Sequence, residues 1–476
     1  TYMSTNISRR KVVAGAAWAA PVVAASAAVP AFASSTECKP EGSAAYSISG
    51  TAAGAKTVQK FKVPAKVDKI SFTIIGGAGG TVLSDAAQGG SGAKLTGTIE
   101  VKEGQVVEIV AAAGGVGKLV NGRPSEPVTG GEGYGNGGST PAFTIPSDVI
   151  AEVNNRWEKD SMIKRPAMYG SSGGGSSALV VDGTVVAVAG GGGGAGITVA
   201  GGSNNVAQND PKDGAYYNPK AIDAGWRPRN IPISARVVGG GGSATAAAGS
   251  DGIEGIDYYT EPKDPTTGAS RISIGSAAGK GGANGTGGAG AAKPGLPTGN
   301  RFDTIGFSSQ NNQVLFSSSA AGKQGGSGFN GNGADGTSAY SYQLDNNDKN
   351  TPETVYPGGG TTGTPRYMTY PDVGFNFNGH QAIVSSGGGA GYGGGGSGAA
   401  RALSAILVNQ KWNGNTAPNG LRQNISYGIQ AGAGGAGGSY LASNVIDGAI
   451  ESSGNGATGA GVRNPGSVEI TFCKRS

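Results

Sequence analysis

Ser177-Ala178-Leu179-Val180-Val181-Asp182-Gly183-Thr184-Val185-Val186-Ala187-Val188-Ala189, followed at once by Gly190 to Gly194, carries two messages. The first thirteen residues are β-branched and apolar on either side of Asp-Gly, a pair that takes up the positive φ angles of a two-residue hairpin turn. The five glycines that follow have no side chain to bury, so whatever orders them acts through the main chain.

Outward from this stretch the same grammar repeats: a short apolar strand, then glycine. Lys69–Ile75 runs into Gly76-Gly77-Ala78-Gly79-Gly80, and Val106–Val110 into Gly114-Gly115. Arg236-Val237-Val238 leads to Gly239–Gly242, and Gln381–Val384 leads through two serines to Gly387–Gly389 and Gly393–Gly396. Ser467–Phe472 closes the series as a strand. Gln59–Ile75 reads as two strands broken at Pro64, with Lys66–Lys69 in the turn, and Ile99–Val101 with Gly104–Val107 as a hairpin-like pair. Helical periodicity is scarce; the best helix candidate is Asp148–Lys159.

Glycine supplies 93 of 476 residues, about a fifth, against roughly 7% in ordinary proteins. No G-X-Y period exists, which excludes collagen. Sparse charge (14%) and the Val, Ile and Phe runs argue against a disordered chain. An ordered glycine tract can extend with threefold symmetry, has no internal hydrogen bonds, and must bond to neighbouring tracts. Ordering costs about 1–2 kcal/mol per residue, so many tracts and an apolar β-unit must offset it together. Alanine and serine are the tolerable interruptions, at exposed positions of such a lattice. The expected fold is mainly β: an antiparallel β-unit merged with packed polyglycine-II helices, irregular loop insertions and little α-helix.

Arg9-Arg10-Lys11, an apolar run from Val12 to about Val29, and Ala31-Phe32-Ala33 before Ser34 read as a cleaved export signal over residues 1–33. The Ser-Arg-Arg-Lys-Val-Val string resembles a twin-arginine signal, but Val12-Val13 replaces the usual Phe-Leu, so the route stays open. The leader is similar to those of actinobacteria. Residues 34–55 form an N-terminal segment with Cys38, and 56–476 the glycine-rich domain. The expected location is extracellular or cell-surface, with no membrane span in the mature chain. The two cysteines, Cys38 and Cys473, are expected to pair in an oxidising environment; unpaired thiols are the alternative. Such a bridge would contribute at most about 4–5 kcal/mol. The formal charge is +5, three of the positives lie in the leader, and no basic stripe tracks a phosphate backbone, so no nucleic acid is expected.

At these residues the chain resembles the glycine-rich domain of bacterial surface proteins, of the extracellular part of anaplastic lymphoma kinase receptors and, more distantly, of phage tail-fibre tip adhesins. The matching elements, in order, are Phe61–Pro64 through Phe72–Gly80, then Gln105–Gly117, Gly173–Gly194, Gly389–Gly396 and Gly466–Ile470. Long insertions at about 203–235, 295–316 and 340–380 depart from the pattern. The resemblance implies a β-unit merged with polyglycine helices, binding through loops or scaffold surface, and no catalytic residues to carry over.

Sites that would imply other chemistry fail on their residues. The single histidine, His380, sits in Phe377-Asn378-Gly379-His380, read as a surface loop. Gly114–Leu119 and Gly275–Lys280 miss phosphate-loop spacing. Asn330–Asp335 is one isolated copy of a calcium-binding nonapeptide, and Asp345–Asn350 puts Lys349 where an EF-hand needs an oxygen ligand. No catalytic residue, metal or cofactor is expected. The candidate binding residues are aromatics outside the glycine tracts: Trp157, Tyr216, Tyr217, Trp226, Tyr258, Tyr259, Tyr356, Tyr367, Tyr370 and Trp412, with Arg227 and Arg229 beside Pro228. Their structural alternative is to seal the ends of a lattice that buries no apolar area itself. The sequence therefore points to an adhesin or recognition module whose partner is an extracellular protein or glycan. The runner-up is a structural subunit of an envelope layer, matrix or filament that packs against copies of itself. An enzyme is a distant third.

Overall fold

The computed structural model describes residues 45–82, 88–118, 126–143, 167–203, 232–237, 241–252, 258–259, 273–274, 277–294, 308–310, 313–316, 318–345, 379–410, 422–456 and 459–474. The Asp182-Gly183 turn forms as its residue types demand, with φ of 47° and 79°. It joins Ser177–Val181 to Thr184–Ala189 in an antiparallel pair. The Asp182 carboxylate then accepts from the Val106 N–H at 2.8 Å and from Gln105 Nε2 at 2.9 Å, which ties the hairpin tip to the next strand.

That hairpin belongs to a five-stranded sheet in the order Thr57–Lys62, Val106–Ala111, Ser177–Val181, Thr184–Ala189, Tyr440–Leu441. A second five-stranded sheet orders Tyr46–Ser49, Ser467–Lys474, Val67–Ile75, Ala93–Glu100 and Ile446–Ser452. Both are antiparallel throughout. They share one core: Ile70, Phe72, Ile74, Leu95, Val468 and Ile470 from one sheet, and Phe61, Val107, Ile109 and Leu179 from the other. Ile70, Ile74, Leu95, Ile109 and Leu179 are fully buried, each contributing about 1.5–3 kcal/mol.

The sandwich corrects two sequence pairings. Thr57–Lys62 does not pair with Val67–Ile75, nor Ala93–Glu100 with Val106–Ala111; each short link carries the chain from one sheet into the other. The turn also ends earlier than expected, because Val67 already pairs with Lys474. The links lie side by side. Val63 N–H donates to Gln105 O and Gly104 N–H to Val63 O, both at 2.9 Å, and Lys66 (φ 69°) and Gly104 (φ 82°) make the bends. Alternation says which residues face inward; it does not say whether consecutive strands meet edge to edge or face to face.

Two further five-stranded sheets follow. One orders Pro232–Val237, Ile197–Ser203, Arg422–Ala431, Ala400–Gln410 and Ser318–Ala320; the other orders Ser308–Gln310, Gln313–Phe316, Ser338–Asp345, Gly379–Val384 and Met168–Tyr169. His380 therefore lies in a strand, opposite Tyr342, and not in a loop; the cross-strand ladder continues back to Gly379. Among the described residues there is no helix, and none long and apolar enough to cross a membrane. The helix candidate Asp148–Lys159 lies outside the described residues.

Between the strands, the glycine tracts are buried and bonded to one another. In Gly170–Ser176, Ser171 and Gly174 donate to Ala195 and Gly192, Ser172 and Gly175 to Val116 and Ala113, and Gly173 and Ser176 to Gly138 and Gly135. Every third N–H addresses the same neighbour. The rule holds again for Gly191 and Gly194, which donate to Ala390 and Gly387, and for Ser386, Gly389 and Tyr392, which donate to Gly432, Gly435 and Gly438. A β-strand would repeat every two residues and an α-helix would bond within itself. Here the period is three and the partners lie on three sides.

At most tract positions this arrangement leaves no room for a side chain. A Cβ on Gly193 would run into the carbonyl of Gly434, and one on Gly388 into that of Gly395. Residues facing outward, such as Ala289, Ala292, Gln324 and Ser327, are exposed. Against expectation, neither alanine nor serine is confined to exposed positions: Ala78, Ala390, Ala433 and Ala436 are buried within the tracts. Ser171, Ser172, Ser176, Ser385, Ser386, Ser397 and Ser439 are buried. Their hydroxyls complete bonds that the main chain leaves open, for example Gly135 N–H to Ser176 Oγ at 2.8 Å and Gly190 N–H to Ser439 Oγ at 3.1 Å. Gly193→Ala is accordingly expected to destabilise the fold by about 3 kcal/mol or more in urea unfolding, while Ala289→Ser stays within about 0.5 kcal/mol.

Candidate functional site

Three tracts reverse direction at one place. Asn284-Gly285 (φ 51° and 74°) makes a two-residue turn closed by Ala283 N–H to Thr286 O at 3.0 Å and by the reciprocal bond at 2.8 Å. Gly328 (φ 94°) opens a second turn, and Gly393 (φ 81°) a third, directly after Tyr392. The turns are bonded together: Gly285 N–H to Tyr392 O, Gly328 N–H to Gly285 O, and Gly393 N–H to Gly328 O, at 3.3, 2.8 and 2.9 Å.

These turns, with the edge strand Tyr440–Leu441, hold Phe329, Tyr392 and Tyr440 together. Phe329 stacks on Tyr392 with ring centroids 4.8 Å apart and 19° between planes. Tyr440 meets Phe329 edge-on at 4.9 Å and leans on Tyr392 at 5.0 Å. Phe329 is 37% exposed, and both tyrosines are half-buried. A Cβ on Gly285 would press on the Tyr392 ring, so glycine there lets the turn lie flat against it. Asn330 follows Phe329 in the chain, and Asn284 lies in the turn whose Gly285 N–H donates to Tyr392 O; both asparagines are exposed.

One carboxylate anchors the tract that carries the Asn284 turn. Asp251 accepts from Gly281 N–H and from Lys280 Nζ, each at 2.9 Å. Burial alone would raise its pKa, but those two donors and the lysine's charge outweigh it and leave the carboxyl below its ordinary value. Elsewhere, burial and then the charge of Glu108 raise Tyr134. Burial lowers Arg463, whose guanidinium donates to Gly114 O at 2.7 Å and Thr129 O at 3.1 Å. Among the described residues no three His, Cys, Asp or Glu side chains gather as metal ligands. No protein-family model matches the chain, and no curated protein matches it.

Of the residues singled out from sequence, Tyr258 and Tyr259 form a two-residue strand opposite Ile274 and Ser273. Cys473 is buried near the end of the Ser467–Lys474 strand. Ala31, Ala33, Ser34, Cys38, Trp157, Tyr216, Tyr217, Trp226, Tyr356, Tyr367, Tyr370 and Trp412 lie outside the described residues. Whereas the candidate aromatics named from sequence lie outside the glycine tracts, the three clustered rings sit within or beside them. Their signal was local: a bulky ring amid glycines, as in Gly391-Tyr392-Gly393, has no room except where a tract ends.

The lowered Asp251 pKa has a definite sign. Its stabilisation is full above the unfolded carboxyl value, about 3.9, and is lost as pH falls through the lower folded value. The stability gap between wild type and Asp251→Asn, measured by urea unfolding, should be constant from pH 7 to about 5 and close below about pH 4. The gap is small, because the Asp251–Lys280 pair is solvent-exposed.

Proposed function

We propose that this chain is an exported, non-catalytic binding protein of the cell surface or medium, an adhesin or recognition module, on a scaffold of packed polyglycine-II helices merged with a β-sandwich. The observation that carries the scaffold is the threefold repeat of donors and partners in the tracts, the repeat of a three-residue-per-turn extended helix. The resemblance to glycine-rich adhesin domains supports the same reading through the order of its motifs. With no side chains to rearrange, such a lattice is a stiff support for whatever its ends and insertions present.

The strand edges favour binding over self-assembly as a structural subunit. Thr57–Lys62 exposes Lys60 and Lys62 along its length. Ile446–Ser452 is interrupted by an irregularity between Ile446 and Ala449, with Asp447 at a φ of 51°. Tyr46–Ser49 is only four residues long. Lysines, bulges and short strands are the usual devices against edge-to-edge pairing.

Hydrogen exchange tests the scaffold: amides of residues 191–195 and 387–390 should be as protected as those of 70–74, and rapid exchange in the tracts would defeat the reading. Sedimentation tests the role: the mature protein should remain monomeric at high concentration, whereas concentration-dependent sheets or filaments would favour the structural subunit. The export reading has Ser34 as the first residue of the secreted protein and Cys38 paired with Cys473, so denatured, unreduced protein should show no free thiol.

A further inference from the structure

We propose that Phe329, Tyr392 and Tyr440 form a binding surface for an uncharged sugar ring, an inference that rests on the binding-protein reading and gives it a site. The rings are held before any ligand arrives. Each leaves a main chain fixed by lattice bonds, and two of the three leave adjoining turns that are bonded to each other. Little conformational freedom therefore remains to be lost on binding.

The chemistry of the surface selects the ligand. A pyranose has a face of C–H groups and a rim of hydroxyls. The C–H face suits aromatic rings, and the rim suits side-chain amides, here Asn330 next to Phe329 in the chain and Asn284 in the turn bonded to the Tyr392 carbonyl. None of the three ring residues, and no residue adjoining them in the chain, is an acid or a base, so nothing in that stretch selects a charged group. Area argues against a protein partner at this place. A stable protein interface needs about 800 Å² from each side, whereas three partly exposed rings offer only a fraction of the 150–250 Å² that each can bury. A single sugar residue within a glycan fits that scale.

The test titrates the full mature chain with cello-, chito-, malto- and mannohexaose, followed by tyrosine fluorescence and calorimetry, and separately exposes it to collagen- and fibronectin-coated surfaces. Wild type should bind at least one of the oligosaccharides. Phe329→Ala should weaken that binding about tenfold or more, Tyr440→Leu should do the same, and Phe329→Tyr should restore it, all with unchanged unfolding midpoints. Oligosaccharide binding indifferent to both Phe329→Ala and Tyr440→Leu would overturn the site and leave the binding-protein reading standing. Capture on a protein surface with no oligosaccharide bound would overturn the sugar inference alone. Binding to none of these probes would overturn both.

Discussion

A buried peptide group must be hydrogen-bonded, and in this protein that requirement falls on segments with no side chains to help. A buried N–H left unpaired costs about 1–3 kcal/mol, so a run of glycines either stays in water or finds a partner for each successive residue. Here the partners are found on three sides. Gly193 N–H reaches Gly242 O, Gly242 N–H reaches Gly434 O, and Gly434 N–H reaches Gly194 O, each at 2.9 Å. Tracts far apart in sequence thereby become immediate neighbours. The glycine content follows from this geometry, since a single methyl at Gly193 or Gly388 would occupy a carbonyl oxygen's place. The buried serines follow from it too, because a hydroxyl can accept from an N–H, such as those of Gly135 and Gly190, for which the tracts supply no carbonyl.

Such a lattice gains little from the hydrophobic effect, and the sandwich beside it supplies that contribution. The two are continuous. Ala93 pairs in the sheet while its N–H donates to Gly190 O, and its own carbonyl accepts from Gly76 N–H. Ala244 and Ala436, which belong to glycine tracts, pack into the core with Leu95 and Leu179. The apolar strands thus hold the ends of the tracts in register, and the tracts extend order well beyond the reach of the core.

How much of this was legible in the sequence varied with how local the cause was. The hairpin at Asp182-Gly183 was, because its turn is decided by two adjacent residues. That Lys69–Ile75 and Val106–Val110 are strands was legible from their alternation. That each crosses to a different sheet from its predecessor was not, because a period of two is blind to partner. The mutual order of the tracts was expected from the need to pair buried amides, yet which tract meets which is a long-range fact, written in no single segment. That Phe329, Tyr392 and Tyr440 meet was not legible for the same reason: two adjoining turns and an edge strand from distant parts of the chain bring them together.

A lattice without room for side chains drives every bulky ring to its margins, so a marginal position alone does not separate a cap from a binding surface. Two clusters in this protein show what does. Tyr46, Phe61 and Phe472 also cluster, with centroids 4.1 to 5.9 Å apart, but they lie over the sandwich core, and Phe61 is only 9% exposed as a member of it. Those rings gain their energy from what they cover. Phe329 and Tyr392 stack on each other at a place where glycine turns meet, and Phe329 keeps more than a third of its surface in water. Sealing the lattice would favour burying that ring further. Its exposure, at turns bonded to one another, is a feature that a cap leaves without a cause and that the proposed binding surface would use.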